Sequence, residues 1–142
     1  MILKITVYVL YRNGYDINKT SKGILIMIEF VCYPKCTTCQ KAKKWLDDNN
    51  IEYVLLDIKE DNPSYEELSA WHKMCGLPLK KFFNTSGLLY KSMGLKDKLP
   101  NMPEEEQLKL LATDGMLVKR PLVIGEDFVL VGFKESEWSE KL

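Results

Sequence analysis

Two cysteines, Cys36 and Cys39, are separated by two threonines where an apolar run gives way to a basic stretch. From Cys39 onward the apolar residues recur at helical spacing, which predicts a helix that begins near Cys36. The N–H groups at a helix start point outward without intrahelical partners, and the positive end of the helix dipole favours a thiolate there. Because Cys39 falls on the apolar stripe and Cys36 does not, the sequence predicts an exposed attacking thiol and a sheltered resolving thiol.

The same cysteine spacing has two alternative interpretations. The cysteines could form half of a zinc site, or they could be two purely structural thiols. Zinc requires two further ligands, and the remaining candidates, Cys32, Cys75 and His72, are not paired at ligand spacing. No metal ligand is therefore assigned, and His72 is expected to face solvent without a catalytic role. Oxidation is predicted to join Cys36 to Cys39. Cys32 on a sheet face and Cys75, a core thiol on a helical stripe, are not expected to compete.

The composition is that of one soluble globular domain. The chain has 142 residues, of which 46% are hydrophobic and 28% are charged. Basic and acidic residues both number 20, and zero net charge argues against direct binding to nucleic acid. The longest apolar stretch is too short to cross a membrane, and the four cysteines do not resemble the disulfide framework of a secreted domain. The sequence predicts a cytoplasmic protein, and a monomer is expected.

The segment 1–26 stands apart from the rest of the predicted organisation. A self-contained fold can begin at Met27, where an apolar run predicts a strand that leads into the CxxC helix. Residues 1–26 are therefore expected to be a translated leader, since the codons just before Met27 can hold the purine-rich ribosome-binding sequence of a bacterial start. The alternative is an extra edge strand over Ile2–Tyr11. Residues 27–142 form the predicted domain.

The order of elements after this start indicates an α/β fold. Ser64 and Glu67 stand at capping-box spacing before an apolar stripe, and Gly76 follows it, so a second helix is expected between them. In the region 77–102 the apolar residues recur with neither a helical nor a strand period. The predicted elements are strands at 27–33, 51–58, 122–124 and 128–131, helices that begin near Cys36, Ser64 and Pro103, and a last helix after the fourth strand.

Three short motifs make the resemblance of this chain to a known family specific. They are Tyr33-Pro34-Lys35-Cys36-Thr37-Thr38-Cys39, the Lys119-Arg120-Pro121 step into a strand, and Val131-Gly132-Phe133 near the end. In this order and spacing they resemble the glutaredoxin-type arsenate reductase family, which includes the Spx transcriptional regulators, over residues 27–142. The resemblance implies a thioredoxin-like fold with a helical insertion between the two halves of a mixed four-stranded sheet. It places the chain nearest an arsenate-reductase-like branch.

The resemblance also implies roles for individual residues. Cys36 is expected to attack and Cys39 to resolve, while Arg120 points at Cys36 and favours its thiolate, next to a cis peptide at Pro121. Helix-start N–H groups are expected to face the sulfur of Cys36. The residues expected to line the substrate approach are Thr37, Thr38, Asn84, Thr85, Ser86 and Pro121, of which the stretch at 84–86 alternatively forms a simple turn.

Two functions remain open at this point. In an arsenate reductase of the family that this chain resembles, three arginines surround the nucleophilic cysteine. Only one of the three has a counterpart in this chain, which is Arg120. Asn84 stands at the first position and the acidic hairpin turn at 125–127 at the third. The favoured function is a thiol-disulfide oxidoreductase with no bound cofactor. It acts on a protein thiol partner or a small oxidised substrate, with glutathione, thioredoxin or glutaredoxin as electron donor. The alternative is an Spx-like regulator whose disulfide changes a surface recognised by RNA polymerase.

Overall fold

A computed structural model of the protein describes residues 28–142. The leader or edge strand predicted for residues 1–26 lies outside the described residues. The strands are β1 (Ile28–Cys32), β2 (Tyr53–Asp57), β3 (Leu122–Ile124) and β4 (Val129–Val131), and the α-helices of the described part are α1 (Thr37–Asp48), α2 (Tyr65–Cys75), α3 (Leu88–Ser92), α4 (Leu95–Lys98), α5 (Glu104–Leu111) and α6 (Glu135–Lys141).

The four strands form one mixed sheet in the order β2-β1-β3-β4. β1 and β2 are parallel and joined by α1, whereas β3 pairs antiparallel with both β1 and β4. Along the chain, the helices α2 to α5 follow β2 and precede β3. The same stretch contains short 3₁₀ helices at Leu79–Phe82, Leu99–Asn101 and Gly115–Leu117. This arrangement confirms the predicted thioredoxin-like fold with a helical insertion between the two halves of the sheet. No helix within residues 28–142 is long and apolar enough to cross a membrane.

Strand β1 is buried on both faces because helices cover both sides of the sheet. Ile28, Phe30 and Cys32 pack into the core that α1 and α6 cover, whereas Val31 packs into the core formed with the helical insertion. Successive side chains of a strand point to opposite faces, which accounts for this division. The last residue of β1, Cys32, therefore faces the helix that begins with the CxxC segment.

The helix α6 is held against α1 by a cluster of aromatic rings around Trp138, which is fully buried. The Trp138 ring lies edge-on to Phe30, Trp45 and Phe133, with centroid distances of 6.3, 5.7 and 4.8 Å. Its Nε1–H donates to the carbonyl of Gly132 at 3.1 Å, so the polar edge of the ring is also satisfied. This cluster couples the chain after β4 to the helix that carries the cysteines.

The capping box predicted for α2 is present. The Ser64 hydroxyl accepts the N–H of Glu67 at 3.1 Å, and the Glu67 carboxylate accepts the N–H of Ser64 at 3.2 Å. Gly76 ends the helix with φ of 66°, a left-handed conformation that favours glycine. The local sequence thus determines both ends of α2, as predicted.

Two side chains of α2 differ from their predicted positions. His72 does not face solvent: its side chain is 17% exposed, Nδ1 lies 3.3 Å from Oε1 of Glu104, and the ring packs edge-on against Phe82. Helix α5 packs across α2 and supplies this partner, which no local pattern shows. Cys75 is half-buried rather than a core thiol, and its Sγ–H donates to the carbonyl of His72 at 3.3 Å.

Candidate active site

The two cysteines of the CxxC segment lie at the start of α1, as the sequence predicts. A turn leads into the helix, because the N–H of Cys36 donates to the carbonyl of Tyr33 at 2.9 Å. Cys36 is the N-cap residue, with φ of −84° and ψ of 123°, and its carbonyl accepts the N–H of Gln40 at 3.0 Å. The first turn contains no acidic residue, so no carboxylate of that turn opposes the positive end of the helix dipole.

The two thiols differ in exposure. Cys36 is half-buried, whereas Cys39 is 2% exposed and packs into the core under α1. The Cys39 sulfur accepts the N–H of Tyr33 at 3.4 Å. Thr37 and Thr38, between the cysteines, are exposed. The predicted asymmetry of an accessible first thiol and a sheltered second thiol is therefore present.

A third thiol, that of Cys32, lies next to the pair. Cys32 is 3% exposed and belongs to the same buried cluster as Cys39. The interaction of the two thiols, together with burial, raises the pKa of Cys39, and the same interaction lowers the pKa of Cys32. Cys32 therefore lies beside Cys39, and the expectation that it does not compete for the disulfide stays a prediction. No group of three or more His, Cys, Asp or Glu side chains in the described part of the chain is arranged to hold a metal ion.

The segment before β3 runs alongside the CxxC turn. The Arg120–Pro121 peptide is cis, as the family resemblance implies. Leu122 pairs with Val31, and continuing this antiparallel register places Arg120 opposite Tyr33. The Arg120 guanidinium accordingly lies over the Tyr33 ring, with Cζ 5.1 Å from the ring centroid. Arg120 thus contacts the residue whose backbone is hydrogen-bonded to both cysteines of the pair.

Arg120 has a second neighbour that the sequence did not indicate. Its Nη1 lies 3.9 Å from Sδ of Met116, while Nε is buried and has no hydrogen-bond partner among the described residues. The guanidinium thus keeps donor capacity unused next to the CxxC turn. The contact with Tyr33 could have been predicted from strand register, whereas no sequence signal identifies Met116. The predicted direction of Arg120 toward Cys36 stays a prediction.

The stretch at 84–86 forms the simple turn that the sequence offered as an alternative. The carbonyl of Asn84 accepts the N–H of Gly87 at 3.0 Å, and Thr85 and Ser86 are exposed within the turn. The Asn84 side chain donates to the carbonyl of Met116 at 3.5 Å, so the turn is tied to the segment that reaches Arg120. The role of residues 84–86 in lining the substrate approach remains a prediction.

The tip of the β3–β4 hairpin lies at the far end of the sheet from the cysteines. Ile124, which ends β3, pairs with Glu29 at the beginning of β1, whereas the CxxC segment follows the end of β1. The acidic turn at 125–127 is therefore too remote to stand in place of an arginine near Cys36, and that part of the prediction is wrong. The chain after β4 reaches the cis peptide instead, because the N–H of Gly132 donates to the carbonyl of Pro121 at 2.9 Å.

A cavity of about 300 Å³ lies elsewhere, in the helical insertion. Its lining includes Lys80, Tyr90 and Gln107 and neither cysteine of the CxxC pair. Cys36 lies instead among exposed neighbours at the end of the sheet. An open position of this kind is accessible to a macromolecular disulfide as well as to a small one.

A mixed sheet with a CxxC at a helix start and a cis-proline before the third strand defines a thioredoxin-like protein of the ArsC class. Residues 32–141 match the ArsC family, and the chain belongs to that family. It is 54% identical over 113 residues to the uncharacterized protein YusI of Bacillus subtilis, a match that covers 80% of this chain and 96% of YusI. The family resemblance read from the sequence is confirmed.

Two further relatives extend the comparison. The chain is 27% identical over 111 residues to the global transcriptional regulator Spx 1 of Bacillus cereus, which covers 78% of this chain and 83% of the regulator. The crystal structure of a putative ArsC family related protein from Bacteroides fragilis superposes with a TM-score of 0.79 at 62% sequence identity. That superposition covers 81% of this chain and 97% of the other.

Proposed function

We propose that this protein is a cytoplasmic thiol-disulfide oxidoreductase of the ArsC family that uses Cys36 and Cys39 as its redox pair. The observation that carries the proposal is the arrangement of the two thiols. Cys36 is half-buried at the N-cap of α1 and packs against the buried cluster that contains Cys39. The expected hydrogen bonds from helix-start N–H groups to the Cys36 sulfur are not formed, because Cys36 has no side-chain capping bond. The support comes from its place at the positive end of the helix dipole, which favours the reactive thiolate form of a cysteine.

The reaction proceeds by two thiol-disulfide exchanges. The Cys36 thiolate attacks one sulfur of a substrate disulfide, and the other substrate sulfur leaves as a thiolate. Cys39 then loses its proton and attacks the Cys36 sulfur, which releases the second substrate thiolate and leaves a Cys36–Cys39 disulfide. The substrate is reduced by two electrons and the pair is oxidised by two. Glutathione, thioredoxin or glutaredoxin then reduces the pair, so the reaction needs no bound cofactor.

A redox-switched regulator is the second candidate function. The observation in its favour is the 27% identity to the global transcriptional regulator Spx 1 over most of both chains. In that case, formation of the Cys36–Cys39 disulfide would alter a surface recognised by RNA polymerase. Both functions use the Cys36–Cys39 disulfide. They differ in that the oxidoreductase needs the Cys36 thiolate to attack a substrate, whereas the regulator needs the disulfide to change binding to RNA polymerase.

Replacing Arg120 with alanine tests the proposed function. The guanidinium lies on Tyr33, which is hydrogen-bonded to both cysteines, and it has an unsatisfied Nε. A neighbouring cation favours a thiolate, so the Arg120→Ala variant is expected to be alkylated at Cys36 up to about tenfold more slowly at neutral pH. The measurement is the iodoacetamide rate at Cys36 against pH, followed by mass spectrometry, with disulfide-reducing activity measured in parallel.

The neighbouring exposed cation provides the matched control. Lys119→Ala removes one positive charge from the same segment and is expected to leave the alkylation profile close to that of the wild type. Binding of purified RNA polymerase to the reduced and oxidised protein completes the experiment. An unchanged profile in Arg120→Ala, combined with polymerase binding that depends on oxidation, would reject the oxidoreductase and support the regulator.

Arsenate is expected to be a poor substrate. Arg120 is the single arginine of residues 28–142, the first expected arginine is replaced by Asn84, and Gly132 and Phe133 occupy the segment that reaches Pro121. A charge-assisted hydrogen bond contributes about 1.5 to 3 kcal/mol, so the absence of two oxyanion-binding arginines weakens oxyanion binding by roughly 10²- to 10⁴-fold. Turnover of arsenate with glutathione and glutaredoxin is the measurement. A rate equal to that of an authentic arsenate reductase assayed alongside would refute this expectation.

A further inference from the structure

The mechanism proposed above leaves one buried nucleophile of the site without a role. Cys32 ends β1 on the sheet face that α1 covers, and it belongs to the same buried cluster as Cys39. Cys32 is 3% exposed and Cys39 is 2% exposed, and the Cys39 sulfur accepts the N–H of Tyr33, the residue that directly follows Cys32. The proximity follows from strand alternation, because Phe30 and Cys32 point to the same face.

The sulfur of Cys39 has a thiol neighbour on each side. Cys32 and Cys39 belong to the same buried cluster, and Cys36, which is half-buried, packs against that cluster. Cys32 is too deeply buried to meet a protein disulfide directly, so oxidising equivalents reach it through Cys39. Cys75, by contrast, belongs to α2 and bonds the backbone of His72 and Leu77. A three-thiol row is therefore built into the junction of β1 and α1.

We propose that Cys32 is a second resolving thiol, which takes over the disulfide formed between Cys36 and Cys39. The inference rests on the proposed function, since the Cys36–Cys39 disulfide is its starting point. Cys32 loses its proton and attacks the Cys39 sulfur, a Cys32–Cys39 bond forms, and the Cys36–Cys39 bond breaks. Cys36 leaves as a thiolate and takes up a proton, so the number of disulfides is unchanged and no other oxidant or reductant is needed.

The transfer of the disulfide from Cys36–Cys39 to Cys32–Cys39, called the relay below, changes how accessible the disulfide is in the oxidised protein. The disulfide moves from a half-buried position to one in which both sulfurs are buried, while Cys36 is free again. An external thiol must attack a sulfur to reduce a disulfide, and access limits that step. The buried Cys32–Cys39 disulfide is therefore reduced by way of Cys36, which reverses the relay.

The first experiment follows the disulfide in the wild-type protein. The protein is oxidised with one equivalent of diamide, the oxidant is removed, and samples are quenched over time with acid and N-ethylmaleimide and mapped by mass spectrometry. We expect linked Cys32–Cys39 peptides together with alkylated Cys36, at the expense of the Cys36–Cys39 link. The Cys32→Ala variant is expected to lose this species completely, whereas Cys75→Ser retains it. Disulfides confined to Cys36–Cys39 at every time in the wild type would overturn the proposal.

The second experiment separates the relay from the proposed function. The Cys36→Ser variant cannot reduce a substrate disulfide, yet diamide is expected to join Cys32 to Cys39 in it with the loss of two free thiols. This variant retains the buried pair, so the result does not depend on whether Cys32→Ala folds. Three free thiols after diamide treatment of the folded Cys36→Ser protein would overturn the relay. An inactive wild-type protein that still forms the Cys32–Cys39 link would reject the oxidoreductase and leave the relay standing.

Discussion

The Cys36→Ser variant is expected to lose disulfide-reducing activity by roughly three orders of magnitude or more, as when a catalytic nucleophile is removed from other enzymes. A serine hydroxyl is not ionised near neutral pH and cannot form a disulfide. The variant is expected to fold, because Cys36 is an N-cap residue without a side-chain capping bond and serine is a preferred N-cap. The measurement is the rate of thiol release from a disulfide peptide with glutathione as the reductant.

Two further variants make the loss interpretable. Cys75→Ser removes a half-buried thiol from α2, away from the pair, and is expected to keep the wild-type rate. Cys39→Ser retains the attacking thiol and is expected to accumulate a mixed disulfide between Cys36 and the substrate. Wild-type activity in Cys36→Ser would show that the reaction uses another nucleophile.

The Trp138→Ala variant is expected to be destabilised by about 3 to 5 kcal/mol, the usual cost of truncating a buried tryptophan. The Trp138 side chain is fully buried against Phe30, Trp45 and Phe133, and the variant also leaves the carbonyl of Gly132 without its donor. Domains of this size are stable by only about 5 to 15 kcal/mol, so a measurable unfolded fraction is expected. The measurement is the free energy of unfolding in urea.

The matched control for this variant lies in the same helix. Glu140→Ala replaces an exposed side chain of α6 and is expected to change stability by at most about 0.5 kcal/mol. Trp138→Phe keeps an aromatic ring but loses the hydrogen bond to Gly132, so its stability is expected to fall between the wild type and Trp138→Ala. A Trp138→Ala protein as stable as Glu140→Ala would contradict the assignment of α6 to the core.

The parts of the fold that the sequence predicted are those that near neighbours determine. The first strand, the CxxC helix and the second strand follow from local apolar patterns. The capping box of Ser64 and Glu67 follows from residues three positions apart. The unequal exposure of Cys36 and Cys39 follows from the helical period of α1. The cis peptide before Pro121 came from the family resemblance rather than from any local pattern.

The features that the sequence missed join residues of different elements. The pairing of His72 with Glu104 requires α5 to pack across α2, which depends on the tertiary arrangement of the insertion. The region 77–102 folds into helices of five residues or fewer, too short to show a helical period. The contact of Cys32 with Cys39 could have been predicted, because strand alternation places Cys32 on the face of Phe30, under α1.

The most direct test of the redox pair is the reaction of the fully reduced protein with a disulfide peptide, quenched early with acid and a maleimide. The proposed function predicts that two peptide thiols are released for each protein molecule oxidised, and that the first protein disulfide to appear links Cys36 to Cys39. Peptide thiols that are not released, with Cys36 and Cys39 both recovered as alkylated thiols, would contradict it.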